Sequence, residues 1–108
     1  MTDKYYQGDD LLSFLRSNHT GSENPAPSVR LERVFGINGV AVRQIVNKPR
    51  CEGQPVCSNA SGYFYAKSCE EIDNTVEQLL SRSRSINSAA QGLALSRQIF
   101  YDGEERGM

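Results

Sequence analysis

Four polar side chains near the middle of the chain have the chemistry needed to read the edges of DNA bases. Arg43 and Gln44 are adjacent and Asn47 follows one helical turn later, so a helix would place them on one side. Arginine pairs with guanine through two hydrogen bonds, and asparagine or glutamine pairs with adenine in the same way. We therefore expect Asn38, Arg43, Gln44 and Asn47 to contact bases in a major groove, or else to form only the solvated face of a helix.

Basic and small polar residues around this segment are candidates for contacts with the sugar-phosphate backbone. Such contacts supply affinity and register, whereas base contacts supply sequence discrimination. The expected phosphate ligands are Arg30, Lys48, Arg50 and Lys67, and the expected backbone or minor-groove contacts come from Asn59, Ser61 and Lys67. We expect Arg33 to be either a similar contact or the partner in a surface ion pair.

The charge of the chain is unevenly distributed, although its net value is −1. Residues 28–67 hold six Lys and Arg against two Asp and Glu, which gives +4. Residues 1–27 hold two against four, and residues 68–108 hold four against seven, which gives −2 and −3. A basic patch between acidic flanks can still attract and orient a polyanion.

Three helices are predicted in the first half of the chain. The first covers about 10–18, is capped by Asp9 or Asp10, and is followed by a mobile loop over 19–27. The second begins with Ser28 as its cap and ends at Gly36, and the third is capped by Asn38 and stopped by Pro49. The side chains expected to face the core are Val29, Leu31, Val34, Phe35, Val42, Ile45 and Val46.

A hairpin and a long helix are predicted in the second half. Residues 55–58 and 63–66 favour strands, and residues 59–62 favour the turn between them, with Phe64 packed in the core. Ser68 and Glu71 form a capping box at the start of a helix over 69–98, which Gly92 weakens or bends. The sequence thus predicts a mainly α-helical domain with one small β-hairpin (α+β) over 9–98, between flexible ends at 1–8 and 99–108.

Three segments resemble the winged helix-turn-helix proteins of bacteriophages and other bacterial mobile elements. Residues 37–47 are similar to a recognition helix, residues 53–58 to a first wing strand, and residues 62–66 to a second wing strand. The long capped helix behind the wing also fits, whereas Pro49 departs from the family pattern. The resemblance implies a winged-helix fold that binds duplex DNA. We expect sequence-specific binding by a small regulatory protein, acting in transcription or as a replication accessory.

Two alternatives remain open at this point. A winged helix can also hold a protein, so the chain is alternatively an interaction module, such as a phage inhibitor of a host protein. The long helix exceeds what a small core can cover, so it either pairs with a second copy in a homodimer or folds back over the first helix. Paired recognition helices would read paired half-sites.

The sequence lacks the patterns that would indicate an enzyme, a metal site or a membrane span. No paired-carboxylate, Ser-His-Asp, P-loop or HExxH pattern is present, so we expect neither an enzyme nor a cofactor. The spacing of Cys51, Cys57 and Cys69 is poor for zinc or disulfides, and we expect buried or half-buried thiols and an exposed His19. No apolar run predicts a signal peptide or membrane span, so the expected location is the cytoplasm.

Overall fold

A computed structural model describes the backbone of residues 4–100 and the side chains of residues 9–100. Over this range the elements are α1 (Lys4–Asn18), α2 (Ser28–Phe35), α3 (Gly39–Cys51), β1 (Val56–Asn59), β2 (Gly62–Tyr65) and α4 (Cys69–Leu95). The predicted combination of helices with one small antiparallel sheet is confirmed. Residues 1–3 and 101–108, which belong to the predicted flexible ends, lie outside the described residues.

Helix α1 begins earlier than its sequence pattern indicates. Its first residue is Lys4, so five residues of the predicted flexible segment 1–8 are helical and neither Asp9 nor Asp10 is a cap. Both aspartates are exposed inside the helix. The predicted start was wrong because Gly8 and the aspartates favour helix ends locally, whereas the exposed positions of the two aspartates tolerate residues of low helix propensity. Leu11 and Leu15, one turn apart, are completely buried.

Helix α2 is capped by backbone geometry rather than by a side chain. Pro27 occupies the N-cap position with an extended backbone, and Ser28 is already helical. The Ser28 hydroxyl donates to the Glu32 carboxylate at 3.1 Å, so the predicted serine cap is wrong. Only Leu31 of this helix is completely buried, whereas Val29 and Val34 are 54% and 46% exposed and were wrongly assigned to the core. The helix is short, and its other side faces solvent.

The connection from α2 to α3 follows the sequence prediction. Gly36 has the left-handed backbone (φ 65°, ψ 42°) of a residue that ends a helix, and its N–H donates to the Glu32 carbonyl. Asn38 caps α3, because its side-chain oxygen accepts the Ala41 N–H at 2.9 Å. Both predicted end residues are therefore confirmed.

Pro49 does not stop α3, which continues to Cys51. A proline removes one N–H and hence one intrahelical hydrogen bond, which weakens a helix, but α3 continues for only two residues beyond Pro49. The proline is buried, and the helix ends through the Glu52 N–H, which bonds to the carbonyls of Lys48 (3.2 Å) and Pro49 (3.1 Å). The predicted end at Pro49 was wrong because local rules do not account for this burial.

The core lies where α1, α2, α3 and the hairpin meet. Its buried members are Leu11, Leu15, Ala26, Leu31, Val42, Ile45, Val46 and Val56, and Phe64 and Cys57 are also buried. Phe35 packs against this cluster while remaining partly exposed. The predicted inward side of α3 is confirmed at all three of its positions.

Strands β1 and β2 form the predicted hairpin. Val56 pairs with Tyr65, Cys57 with Phe64, and Asn59 with Gly62. The strand limits differ from the predicted 55–58 and 63–66 by one residue, with Ala60 and Ser61 in the turn.

The connection between α1 and α2 is fastened to β2 by its backbone. The Tyr65 N–H donates to the His19 carbonyl (2.8 Å), and the Gly21 N–H donates to the Tyr65 carbonyl (2.8 Å). Ala26 and Tyr63 exchange a second pair of backbone hydrogen bonds at 2.7 and 2.9 Å. The predicted loop over 19–27 is therefore irregular in shape but bonded to the hairpin near both of its ends.

The chain divides into two units, the first of which ends at Thr75 inside α4. Ser68 accepts the Glu71 N–H at 3.3 Å, which confirms one half of the predicted capping box. Beyond Thr75, the large apolar side chains are mostly exposed, including Ile86 (63%) and Leu93 (74%). No helix within residues 4–100 is long and apolar enough to cross a membrane.

We predict that Gly62→Ala strongly destabilises the first unit. Gly62 has φ +148°, and a Cβ atom there would overlap the Ala26 carbonyl. We expect a loss of about 3 kcal/mol in urea unfolding followed by circular dichroism, since strain and overlap add. Gly53→Ala is the control, because Gly53 also has positive φ (+85°) but faces open space. That variant should lose about 1 kcal/mol, and equal losses would contradict a tight contact at Gly62.

Candidate nucleic-acid interface

Helix α3 is held firmly on the side that faces the first unit. Val42 and Val46 are 0% and 1% exposed, and Ile45 is 6% exposed. The Asn38 cap fixes its first turn, and the buried Pro49 lies in its last turn. Side chains on the opposite side of α3 are therefore presented from a well-anchored backbone.

The exposed side of α3 carries three of the four predicted base-reading residues. Arg43, Gln44 and Asn47 are all exposed. Val40, which is 56% exposed, lies one turn before Arg43 and Gln44 on the same side. These four positions follow the i, i+3, i+4, i+7 spacing of one helix face, which we call the α3 polar face.

Asn38 is exposed at the start of α3 but has a structural task. Its side-chain oxygen accepts the Ala41 N–H, which leaves the amide NH2 as the group able to donate to a ligand. An adenine needs both an acceptor and a donor from an asparagine. Because a carbonyl oxygen has two lone pairs, a base contact by Asn38 would share this oxygen with the cap, and the contact stays a prediction.

Two of the four predicted phosphate ligands are paired with carboxylates. Lys48 lies 3.2 Å from Glu52 on the same helix, and Lys67 lies 3.0 Å from Glu23. The hydrogen bond and the charge of Glu23 raise the pKa of Lys67 above its ordinary value. Exposed pairs of this kind are weak, so a phosphate can compete for either lysine at the cost of releasing the carboxylate.

Arg50 is hydrogen-bonded to the first strand of the hairpin. Its Nε donates to the Val56 carbonyl at 2.7 Å, and a terminal nitrogen donates to the Ser58 hydroxyl at 3.0 Å. These two bonds give Arg50 a structural role, and its phosphate contact stays a prediction. The guanidinium ties the end of α3 to β1, a pairing between segments that no local pattern in the sequence reveals.

Arg30 and His19 form a second cluster that the sequence did not predict. The Arg30 Nε donates to His19 Nε2 at 3.1 Å, and the guanidinium carbon lies 5.4 Å from the centre of the Phe14 ring. His19 Nδ1 lies 3.0 Å from the Asn24 carbonyl oxygen, which fits a tautomer with its hydrogen on Nδ1. His19 is only 9% exposed, so the expected exposure was wrong. Arg30 is exposed but oriented by the ring beneath it.

The turn of the hairpin uses Asn59 for its own geometry. The side-chain oxygen accepts the N–H groups of Ser61 (2.8 Å) and Gly62 (3.2 Å), and the side-chain nitrogen donates to the Ser22 carbonyl (3.2 Å). Ser61 is exposed at the tip. Of the two predicted wing contacts, Ser61 is available to a ligand and Asn59 is a turn residue.

Arg30, Arg33 and Arg43 are exposed, the first two on α2 and the third on α3. Among the residues that the structure describes, none of the three forms an ion pair, so the pair expected for Arg33 is not seen. The uncompensated positive charge that residues 28–67 expose is therefore carried mainly by these three arginines.

Glu71 is a residue whose main contacts the sequence did not reveal. One carboxylate oxygen accepts the Lys67 N–H (2.8 Å) and the other accepts the Ser22 N–H (2.7 Å). These backbone hydrogen bonds lower the pKa of Glu71 below its ordinary value, with that from Lys67 contributing most. The capping box pointed to Glu71, but the link to the distant Ser22 has no local signature.

The cysteines are not gathered into a site. Cys57 is buried as expected, but Cys51 and Cys69 are exposed, contrary to expectation. Burial raises the pKa of Cys57, whose thiol donates to the Glu71 carbonyl at 3.6 Å. No group of three or more potential metal ligands occurs within the described range.

We predict that Glu71→Gln lowers the free energy of unfolding of the first unit in a pH-dependent way. The lowered pKa means that ionised Glu71 stabilises the folded state above the ordinary pKa of glutamate, about 4.3. The stabilisation is lost as pH falls through the lowered pKa of Glu71 in the folded state. The gap between wild type and variant in urea unfolding should thus be largest near neutral pH and close as acid is added. Glu70→Gln, at an exposed neighbour, is the control, and a gap that is the same at all pH values would contradict the assignment.

We predict that Arg50→Ala destabilises the protein by about 2 kcal/mol, because two buried or half-buried acceptors lose a charged donor. Arg43→Ala, on the exposed side of the same helix, should stay within about 0.5 kcal/mol of wild type. Chemical unfolding of the three proteins measures both values. Equal stability of the two variants would show that Arg50 is not a structural residue.

No protein-family model, curated protein sequence or solved structure matches this chain. The contacts and exposures described above therefore carry the functional argument.

Proposed function

We propose that the chain is a winged helix-turn-helix protein that binds duplex DNA by placing α3 in the major groove. The observation that carries the proposal is the α3 polar face, where Arg43, Gln44 and Asn47 are exposed on a helix anchored by buried valine and isoleucine. These side-chain types recognise guanine and adenine, and a major groove accepts one α-helix. On the resemblance in sequence, the biological role is that of a small regulatory or replication-accessory protein of a phage or mobile element.

The order of elements supports this fold. Helices α2 and α3 are joined by the short connection Gly36–Asn38, as in a helix-turn-helix, and a hairpin follows α3 directly. The segment between α1 and α2 bridges to β2 at Thr20 and Ala26, so it takes the place of a third strand beside the hairpin. A winged helix has this sequence of helix, short strand, two helices and hairpin.

The distribution of charges sets the expected kind of binding. Arg33, Arg43 and Arg30 are available for phosphates or bases, whereas Lys48 and Lys67 must first leave their carboxylates. The dependence of log K on log salt has a slope of about −0.9 per phosphate neutralised. We therefore expect a shallow slope of about −2 to −4 for one chain, with discrimination resting largely on α3.

We predict that Arg43→Ala loses discrimination at one base position by about 1–3 kcal/mol. The measurement is fluorescence anisotropy with a duplex selected from a random library, together with single-base variants of that duplex. Arg84→Ala is the control, because Arg84 is also an exposed arginine but lies on α4. No binding at low salt, or the same result for both variants, would refute the proposal.

Val40 favours a second candidate function. An apolar side chain that is 56% exposed at the N-terminal end of the α3 polar face suits a protein partner as well as a thymine methyl group. In that role α3 would dock on a host protein, with Val40 in the contact. A partner retained after nuclease treatment and released by Val40→Asp, with no duplex binding, would favour this function over the first.

A further inference from the structure

The second unit exposes apolar side chains along one line of α4. Val76, Ile86 and Leu93 are 45%, 63% and 74% exposed. Leu79 is half-buried and Ala90 is exposed on the same line. Together with one polar member they form what we call the α4 stripe, which consists of Val76, Leu79, Ser83, Ile86, Ala90 and Leu93.

The spacing of the stripe is that of a coiled coil. Successive members are separated by three, four, three, four and three residues. This alternation has a mean period of 3.5 residues, so two such helices can stay in contact over their whole length by supercoiling. The regular pattern continues back to Ile72, which is 37% exposed.

We propose that the α4 stripe pairs with the same stripe of a second copy of this chain, forming a two-stranded antiparallel coiled coil. Placing Ser83 opposite Ile86 of the second copy also places Ala90 opposite Leu79 and Val76 opposite Leu93. Each layer then joins a smaller side chain to a larger one, which fills the interface evenly. A parallel pair would instead stack Ser83 on Ser83 and Ala90 on Ala90, leaving two thin layers.

The charges of α4 also favour the antiparallel arrangement. Glu70, Glu71, Asp73 and Glu77 lie in its first part, whereas residues 78–100 carry no acidic residue and include Arg82, Arg84 and Arg97. Antiparallel pairing separates the two acidic segments and places each beside the Arg97 end of the other helix. It also opposes the two helix dipoles, whereas parallel pairing aligns them.

The area of the stripe is suited to a modest association with a second copy. From the exposed fractions, pairing would remove on the order of 800 Å² from solvent over both helices, which is below the usual size of specific interfaces and in the range of weak, transient ones. A self-matching pattern of this size fits a reversible homodimer with a dissociation constant in the micromolar range, roughly. The α4 stripe and the α3 polar face share no residue, so the proposed pairing does not rest on DNA binding.

The test of pairing is sedimentation velocity of the full chain from about 1 to 200 µM, a range chosen around that constant. We expect a monomer–dimer equilibrium, with the dissociation constant raised at least about tenfold by Leu93→Glu. Leu95→Glu is the matched control, because Leu95 is 77% exposed but lies about 200° away around the helix. Both leucines are exposed in the single chain, so neither variant threatens its folding. A monomer throughout the range, or equal effects of the two variants, would overturn the proposal.

Disulfide trapping tests the orientation. In a background with the exposed Cys51 and Cys69 changed to serine, Val76→Cys and Leu93→Cys are made separately, mixed and mildly oxidised. Antiparallel pairing predicts a cross-linked dimer in the mixture and none in either variant alone. A cross-link in Leu93→Cys alone indicates a parallel pair, and no cross-link in the mixture indicates a different interface, so either result would overturn the proposed arrangement.

Discussion

The backbone pairing between the α1–α2 connection and β2 is the constraint on which the first unit depends. Two bonds at Tyr65 and two at Tyr63 fasten the connection near both ends, and the close approach at Ala26 leaves room for glycine alone at position 62. Because α2 begins directly after this segment, the same bonds fix where α2 starts relative to the hairpin. Glu71 adds a further link, since its carboxylate accepts the Ser22 N–H of the connection and the Lys67 N–H after β2.

Two arginines of the first unit make contacts within its own fold. Arg50 joins α3 to β1, and Arg30 lies over Phe14 and bonds to the buried His19. What remains at the surface is a helix face rich in hydrogen-bonding groups with few uncompensated cations. In the proposed DNA complex this arrangement favours discrimination between sequences over affinity for any duplex, because phosphate contacts supply most nonspecific binding.

The features that the sequence predicted correctly have local causes. Gly36 ends α2 by its left-handed backbone, Asn38 caps α3, and alternating strand residues around a small polar turn form the hairpin. Two of the errors concern groups whose position depends on distant segments. Pro49 is buried and stays helical, and His19 is enclosed by side chains from both neighbouring helices. Neither outcome is visible in the residues adjacent to it along the chain.

In the proposed complex, the α3 polar face is the surface that contacts DNA. Two-dimensional ¹H–¹⁵N NMR of the labelled chain, titrated with a library-selected duplex, tests this contact residue by residue. We expect the largest shifts in the backbone amides of α3 and the side-chain amides of Gln44 and Asn47, with smaller changes at the hairpin tip around Ser61. Shifts confined to α4, or the absence of shifts at saturating duplex, would contradict it.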